Sequence, residues 1–178
     1  MMAFVACKRP RKSANGERGQ ALLELVPVAM LMLVLTFGVI ETSYAIWQCE
    51  VIAALSREGS NLASRNSTLP ASALAVIKDG AVLNSANNGQ MEVIVTAVQN
   101  QGGTFKITGQ ATNGSLAASS RIGSGTGNNA TLPTTATPIP LNGSVYVTEV
   151  FTKYSAITPL GAFVNVTMPS TLYDVAYF

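Results

Sequence analysis

Hydrophobic and polar positions change rhythm three times along this chain. From Leu25 to Trp47 the residues are apolar almost without interruption, and Glu41 is the only charge among them. At 1.5 Å per residue such a helix is about 35 Å long, enough to cross the ~30 Å hydrocarbon core of a bilayer. Beyond Trp47 the pattern thins to Ile52, Leu55, Gly59 and Leu62, spaced three and four apart. That is a narrow helical stripe for packing on a globular domain, with a seam against a neighbouring helix as the alternative. One long helix is therefore expected over 20–65. Pro27 should kink it near its start, because proline frees the carbonyl four residues back.

Pro70 suits the first turn of a second, shorter helix reaching about Lys78 and stopped near Gly80. The period then drops to two. "MEVIVTAV" (91–98) reads as a strand, "NQGG" (100–103) as a turn and "TFKITGQA" (104–111) as the hairpin partner. "SVYVTEVFTKY" (144–154) and "AFVNVTM" (162–168) read as further strands. Between them, 112–143 is rich in Gly, Ser, Thr, Asn and Pro and is expected to form a long irregular loop. The pattern as a whole predicts an α+β fold: a long N-terminal helix, membrane-spanning in its first half, packed on a small antiparallel sheet in an exported domain at 66–178.

Charge orients the chain. Lys8, Arg9, Arg11, Lys12 and Arg18 precede the apolar run against Glu17 alone, whereas from Gln20 onward six basic residues face eight acidic ones. A basic flank on one side places the N-terminus in the cytoplasm and the C-terminal domain outside it. The exported part keeps no basic patch, so nucleic acid is not an expected partner. Cys7 and Cys49 fall on opposite sides of the expected membrane and cannot pair within one chain. The residues before Cys49, Ile46 to Gln48, are not the small ones of a lipoprotein cleavage site.

Little catalytic chemistry is on offer. The chain has no histidine, which removes His-based triads and the usual zinc sites. "GSGTG" (123–127) has no lysine and no helix after it, so it reads as a flexible loop and not as a phosphate cradle. Asp79, Glu92, Glu149 and Asp174 are scattered acids, expected at the surface or in structural hydrogen bonds. The N-x-S/T triplets at Asn66, Asn113, Asn129, Asn142 and Asn165 follow from the Asn/Ser/Thr-rich composition. No catalytic residue, metal ligand or cofactor is expected. Glu41 should lie near the outer lipid interface and reach water, with a buried, paired role as the alternative, and Tyr44 and Trp47 forming an aromatic belt beside it.

The N-terminus admits three readings. It could be an uncleaved signal anchor, or a signal peptide cut after Ala45 behind Ser43, although a 45-residue leader exceeds the usual ~15–30. In the third, a basic leader (1–19) ends at Gly19, and cleavage before Gln20 makes Glu24 the fifth residue of a new chain. Glycine suits a peptidase cleft because its backbone lies extended and close. A charge at a lipid edge is costly unless paired, and the freed α-ammonium of a neighbouring subunit would be a partner for Glu24.

The segments "GQALLE" (19–24), "FGVIE" (37–41) and "ALSREGSNLASR" (54–65), with a proline early in the apolar run, resemble type IV pilin-like precursors. Among these they are most similar to the TadE-like pseudopilins of the tight-adherence (Flp) pilus apparatus. A further likeness lies in "YVTEVFTKYSAITPLGAF" (146–163). The chain departs from the family at Leu25, where an aromatic is frequent, and at Pro27, which comes early. The resemblance implies a pilin-like fold and a structural, non-catalytic minor pseudopilin. It implies cleavage at Gly19–Gln20 by a prepilin peptidase, and Glu24 as the acid that registers assembly. It also implies the pilin, other pseudopilins and an inner-membrane assembly platform as partners. A membrane-anchored adhesin, with loop 112–143 meeting its ligand, is the alternative.

Overall fold

The computed structural model describes residues 14–65, 68–132, 139–159, 161 and 169–178, with side chains from Gly19 onward. The elements are α1 (Ala14–Arg65), α2 (Leu69–Asp79), α3 (Ala81–Ala86), β1 (Met91–Gln101), β2 (Thr104–Gly114), β3 (Ser144–Lys153) and β4 (Thr171–Tyr177). The chain divides into two compact units, one ending at Val39 and one running from Ile40 to Phe178. The boundary falls inside α1, which continues unbroken through Pro27.

The second unit is built on an antiparallel sheet of order β2-β1-β3-β4. The expected hairpin is present. Gln101 pairs with Thr104, and the two-residue turn between them holds Gly102 at φ 65° and Gly103 at φ 87°. Positive φ at both central residues gives a turn whose twist matches that of the strands, and glycine enters it without steric cost. Thr108 is an extra residue in β2, where the register shifts opposite Ala97 and Val98.

One face of the sheet carries the main core. Val93 and Val95 of β1, Val150 of β3 and Leu172 of β4 bury against Ile52 and Leu55 of α1 and against Ala73 and Val76 of α2. Fully burying a side chain such as Ile52 or Leu55 contributes about 1.5–3 kcal/mol. α2 begins with Pro70 in its first turn and stops at Gly80, as its sequence predicts. The packing stripe of α1 is longer and more polar than the thinned apolar pattern implies. It comprises Glu41, Ala45, Gln48, Ile52, Leu55, Ser56, Gly59, Ser60 and Ala63, all buried, whereas Leu62 is only half-buried. Spacings of three, four and one keep these residues on one side of a 3.6-residue helix. The stripe packs on the chain's own sheet, the first of the two alternatives.

Most polar stripe residues bond across the interface, while Gln48 Nε2 has no partner among the described residues. Ser60 donates to the carbonyl of Ala176 at 2.9 Å and Ser56 donates to the carboxylate of Asp174. Asn87 bridges Gln48 and Thr152 at 3.0 Å each. Net hydrogen-bond gains are about 1 kcal/mol each, but an unmade buried bond costs more. The polar stripe therefore fixes where the helix sits as much as it adds stability.

Among the described residues, the opposite face is covered by irregular chain. Ile122 buries against Val98 and Val147, flanked by Phe105, Ala130 and Val175, and Ala130 donates its N–H to the carbonyl of Phe105 at 2.8 Å. The irregular excursion is therefore partly a packed layer, with residues 124–129 exposed. Two elements differ from the sequence expectation. β4 and the short α3 were not predicted, and the strand expected at 162–168 lies outside the described residues.

Candidate functional site

The first candidate region is the start of α1. Gly19, Gln20 and Glu24 all lie within the helix and are exposed. Four residues apart on one helical face, Gln20 Nε2 donates to Glu24 Oε1 at 3.3 Å. A Cβ built on Gly19 would meet no atom within 4 Å, so nothing in the packing of the described residues needs a glycine there. Glycine instead weakens the helix locally, by about 1 kcal/mol relative to alanine, and eases unwinding into an extended strand.

Every large apolar side chain from Leu22 to Leu35 is exposed, on all sides of the helix. A helix apolar all round belongs in lipid or inside a bundle of other helices. Residues 22–40 span about 28 Å at 1.5 Å per residue, close to the ~30 Å bilayer core. Thr36 enters this sleeve with its hydroxyl donated to the carbonyl of Met32 at 2.8 Å, a bond inside the helix that leaves no donor facing lipid. Among the described residues, α1 is the one helix long and apolar enough to cross a membrane.

The second region begins at Glu41 and corrects the sequence expectation. Glu41 does not reach water: it is 0 % exposed. Its carboxylate accepts from the Tyr154 hydroxyl, from the N–H of Ile157 at 3.2 Å and from the N–H of Thr158 at 3.0 Å. Three donors compensate the desolvation of a carboxylate that would otherwise be expensive to bury. Residue 41 belongs to the packing stripe, one and two turns before Ala45 and Gln48, and that placement aims its carboxylate at protein.

Glu149 on β3 repeats the device on the other face. It is also 0 % exposed and accepts from Ser120 Oγ, from the Arg121 N–H at 2.9 Å and from the Tyr173 hydroxyl at 3.0 Å. The Arg121 guanidinium stacks 3.9 Å above the Tyr173 ring. Glu92 takes the N–H of Ala117 at 3.3 Å. The acids expected at the surface or in structural bonds thus divide: Glu92, Glu149 and Asp174 hold segments in place, and Asp79 is exposed. They do not converge on one cleft, and no group of acids, cysteines or histidines among the described residues has metal-holding geometry.

Burial, and then the neighbouring carboxylates, push the Tyr154 and Tyr173 phenols above their ordinary value of 10.0. A folded-state value above the unfolded one favours the protonated phenol. The associated stability is intact below about pH 10 and is lost as pH rises past it. Urea midpoints should therefore fall from about pH 10 upward, and less steeply in Tyr173→Phe. A midpoint unchanged to about pH 11 would contradict the buried phenols.

Sequence reading singled out Gly19, Gln20 and Glu24 and missed Tyr154, Gln48 and Ser56 as structural partners. Projecting the stripe backward from Ile52 through 48, 45 and 41 carries the signal for Glu41 and Gln48. Nothing local announces Tyr154.

Comparison with known proteins bears on the first region. Residues 19–61 match the family of TadE-like proteins, 43 of the chain's 178 residues. The match opens at Gly19, covers the apolar sleeve and most of the packing stripe, and upholds the resemblance carried by "GQALLE", "FGVIE" and "ALSREGSNLASR". It does not reach 146–163 or the sheet. Neither a curated protein nor a solved structure gives a match.

Proposed function

We propose that this chain, with its TadE-like segment at 19–61, is a minor pseudopilin: a structural, non-catalytic subunit that helps assemble a tight-adherence pilus. In this reading residues 1–19 are a leader removed between Gly19 and Gln20 by a prepilin peptidase. The precursor is anchored in the inner membrane by α1, with the unit from Ile40 onward on the periplasmic side. Its partners are the peptidase, the pilin, sister pseudopilins and the assembly platform.

One observation carries the reading. The start of α1 combines an all-round apolar surface with a carboxylate whose described partner is only the Gln20 amide. A helix serving as an anchor alone gains nothing from Glu24. A helix that must stack beside others in a fixed register gains a charge to pair with a neighbour's freed N-terminal ammonium. The adhesin alternative draws less support, because residues 115–122 of the proposed binding loop are tied down through Glu92 and Glu149.

Topology is the first test. A reporter active only outside the cytoplasm, fused after Phe178, should be active in cells, and a cytoplasm-only reporter silent. The five basic residues before the span predict this orientation. The reverse pattern would overturn the assignment.

A further inference from the structure

We infer that the segment 154–159 is a second membrane contact, held by Glu41 so that the unit from Ile40 onward rests directly on the lipid–water interface. The inference depends on α1 being a span, as proposed above, and adds a surface and its occupant.

Three donors fix the segment to α1: the Tyr154 hydroxyl and the backbone N–H groups of Ile157 and Thr158, all on the Glu41 carboxylate. Ile157 is thereby held within a hydrogen bond of the residue that follows Ile40. Both isoleucines are exposed, Ile157 at 55 % and Ile40 at 43 %. An aromatic row adjoins them. Tyr44 stacks on Trp47 with ring centroids 5.6 Å apart and meets Tyr154 at 6.5 Å, and Trp47 is itself partly exposed.

Charge is absent from this patch. Residues 154–159 carry none, and Glu41, the only acid between Ile40 and Trp47, is buried. Exposed Lys153 and Glu50 bound it on either side. Amphipathic aromatic rings beside exposed isoleucines and bounded by charges are the composition that settles at a headgroup boundary. Continuity selects the bilayer as occupant. The exposed apolar run of α1 that begins at Leu22 ends in sequence at Ile40, and Glu41, the next residue, is the one that holds Ile157. Glu41 then has a reason to be buried and bonded: left open at that depth, it would keep the patch wet.

The test uses the full chain with Cys7→Ser and Cys49→Ser, reconstituted in phosphatidylethanolamine/phosphatidylglycerol vesicles. Single cysteines carry an environment-sensitive fluorophore at Ile157→Cys, at Leu33→Cys in the sleeve, and at Thr104→Cys, the first residue of β2, which pairs with Gln101 at the far end of β1. With eleven residues at ~3.3 Å each, that end lies about 36 Å along the strand. Expected are a blue-shifted emission at 157 quenched by shallow doxyl-lipid, deep quenching at 33, and neither effect at 104. Adding Glu41→Gln with Tyr154→Phe should reduce quenching at 157 toward the level at 104 and leave 33 unchanged.

If 33 is quenched while 157 stays as water-exposed as 104, the interfacial contact is wrong and the span stands. If 33 is not quenched either, the span itself has failed. A blue shift at 157 that follows protein density and ignores doxyl-lipid would put a second copy of the chain on the patch and overturn the proposal. Unchanged quenching without the Glu41–Tyr154 pair would overturn the role given to Glu41.

Discussion

Replacing Gly59 with valine should leave the domain unable to fold around α1. A Cβ at this position would stand 2.6 Å from Thr148 Cγ2, 2.8 Å from Val76 Cγ2 and 2.9 Å from Thr148 Oγ1. All are closer than side chains tolerate, and Thr148 and Val76 are themselves fully buried in the sheet and α2. Overpacking typically costs about 1–3 kcal/mol and occasionally more, and valine, branched at a Cβ that already has no room, belongs at the upper end. Such a loss is large against a typical domain stability of about 5–15 kcal/mol. Gly59→Ala should fold with a lowered melting temperature. Thr148→Ser, which removes the nearest methyl, should restore part of the loss in the Gly59→Ala background beyond additivity. If Gly59→Val melts like the parent, α1 does not pack on β3 as described. The effect belongs to the unit from Ile40 onward and should leave membrane insertion of the sleeve unchanged.

Replacing Glu24 with leucine should have the opposite profile: normal expression, processing and membrane residence, with no pilus-dependent attachment. An acid in a transmembrane helix costs up to about 2.5–3.5 kcal/mol at mid-membrane and less near an edge, so leucine favours residence in lipid. In an assembled stack the same change would leave a neighbour's ammonium buried without its counter-charge, a loss of about 3–5 kcal/mol for a broken buried pair. Glu24→Asp, with its carboxylate drawn back by one methylene, should be intermediate. Counting pili and attached cells reads the result directly. Normal attachment by Glu24→Leu cells would reduce Glu24 to an interfacial acid and make the membrane-anchored adhesin the better account.

What could be read from the sequence was what local physics determines. The glycine pair at 102–103, the proline at 70 and the uninterrupted apolar run each act over a few residues, and the hairpin, α2 and α1 followed from them. What escaped depends on distant partners. β4, "TLYDVAY", places Asp174 between Leu172 and Ala176 on the helix-facing side. An acid there looks like a break in the pattern until Ser56 supplies its partner, 118 residues away in sequence. The α1 stripe was only half visible because small and polar residues do the packing where helix and sheet approach closely. Glu41 was misplaced for the same reason: its three donors lie 113–117 residues further on. The start of α1 shows the converse. Gly19, Gln20 and Glu24 stood out in sequence because little in the chain's own fold accounts for them.

The mature N-terminus tests the central claim most directly. Intact-mass and N-terminal peptide mass spectrometry on protein from its native host should find a chain beginning at Gln20, with the basic segment through Gly19 gone. A chain beginning at Ile46, or one retaining Met1, would contradict it.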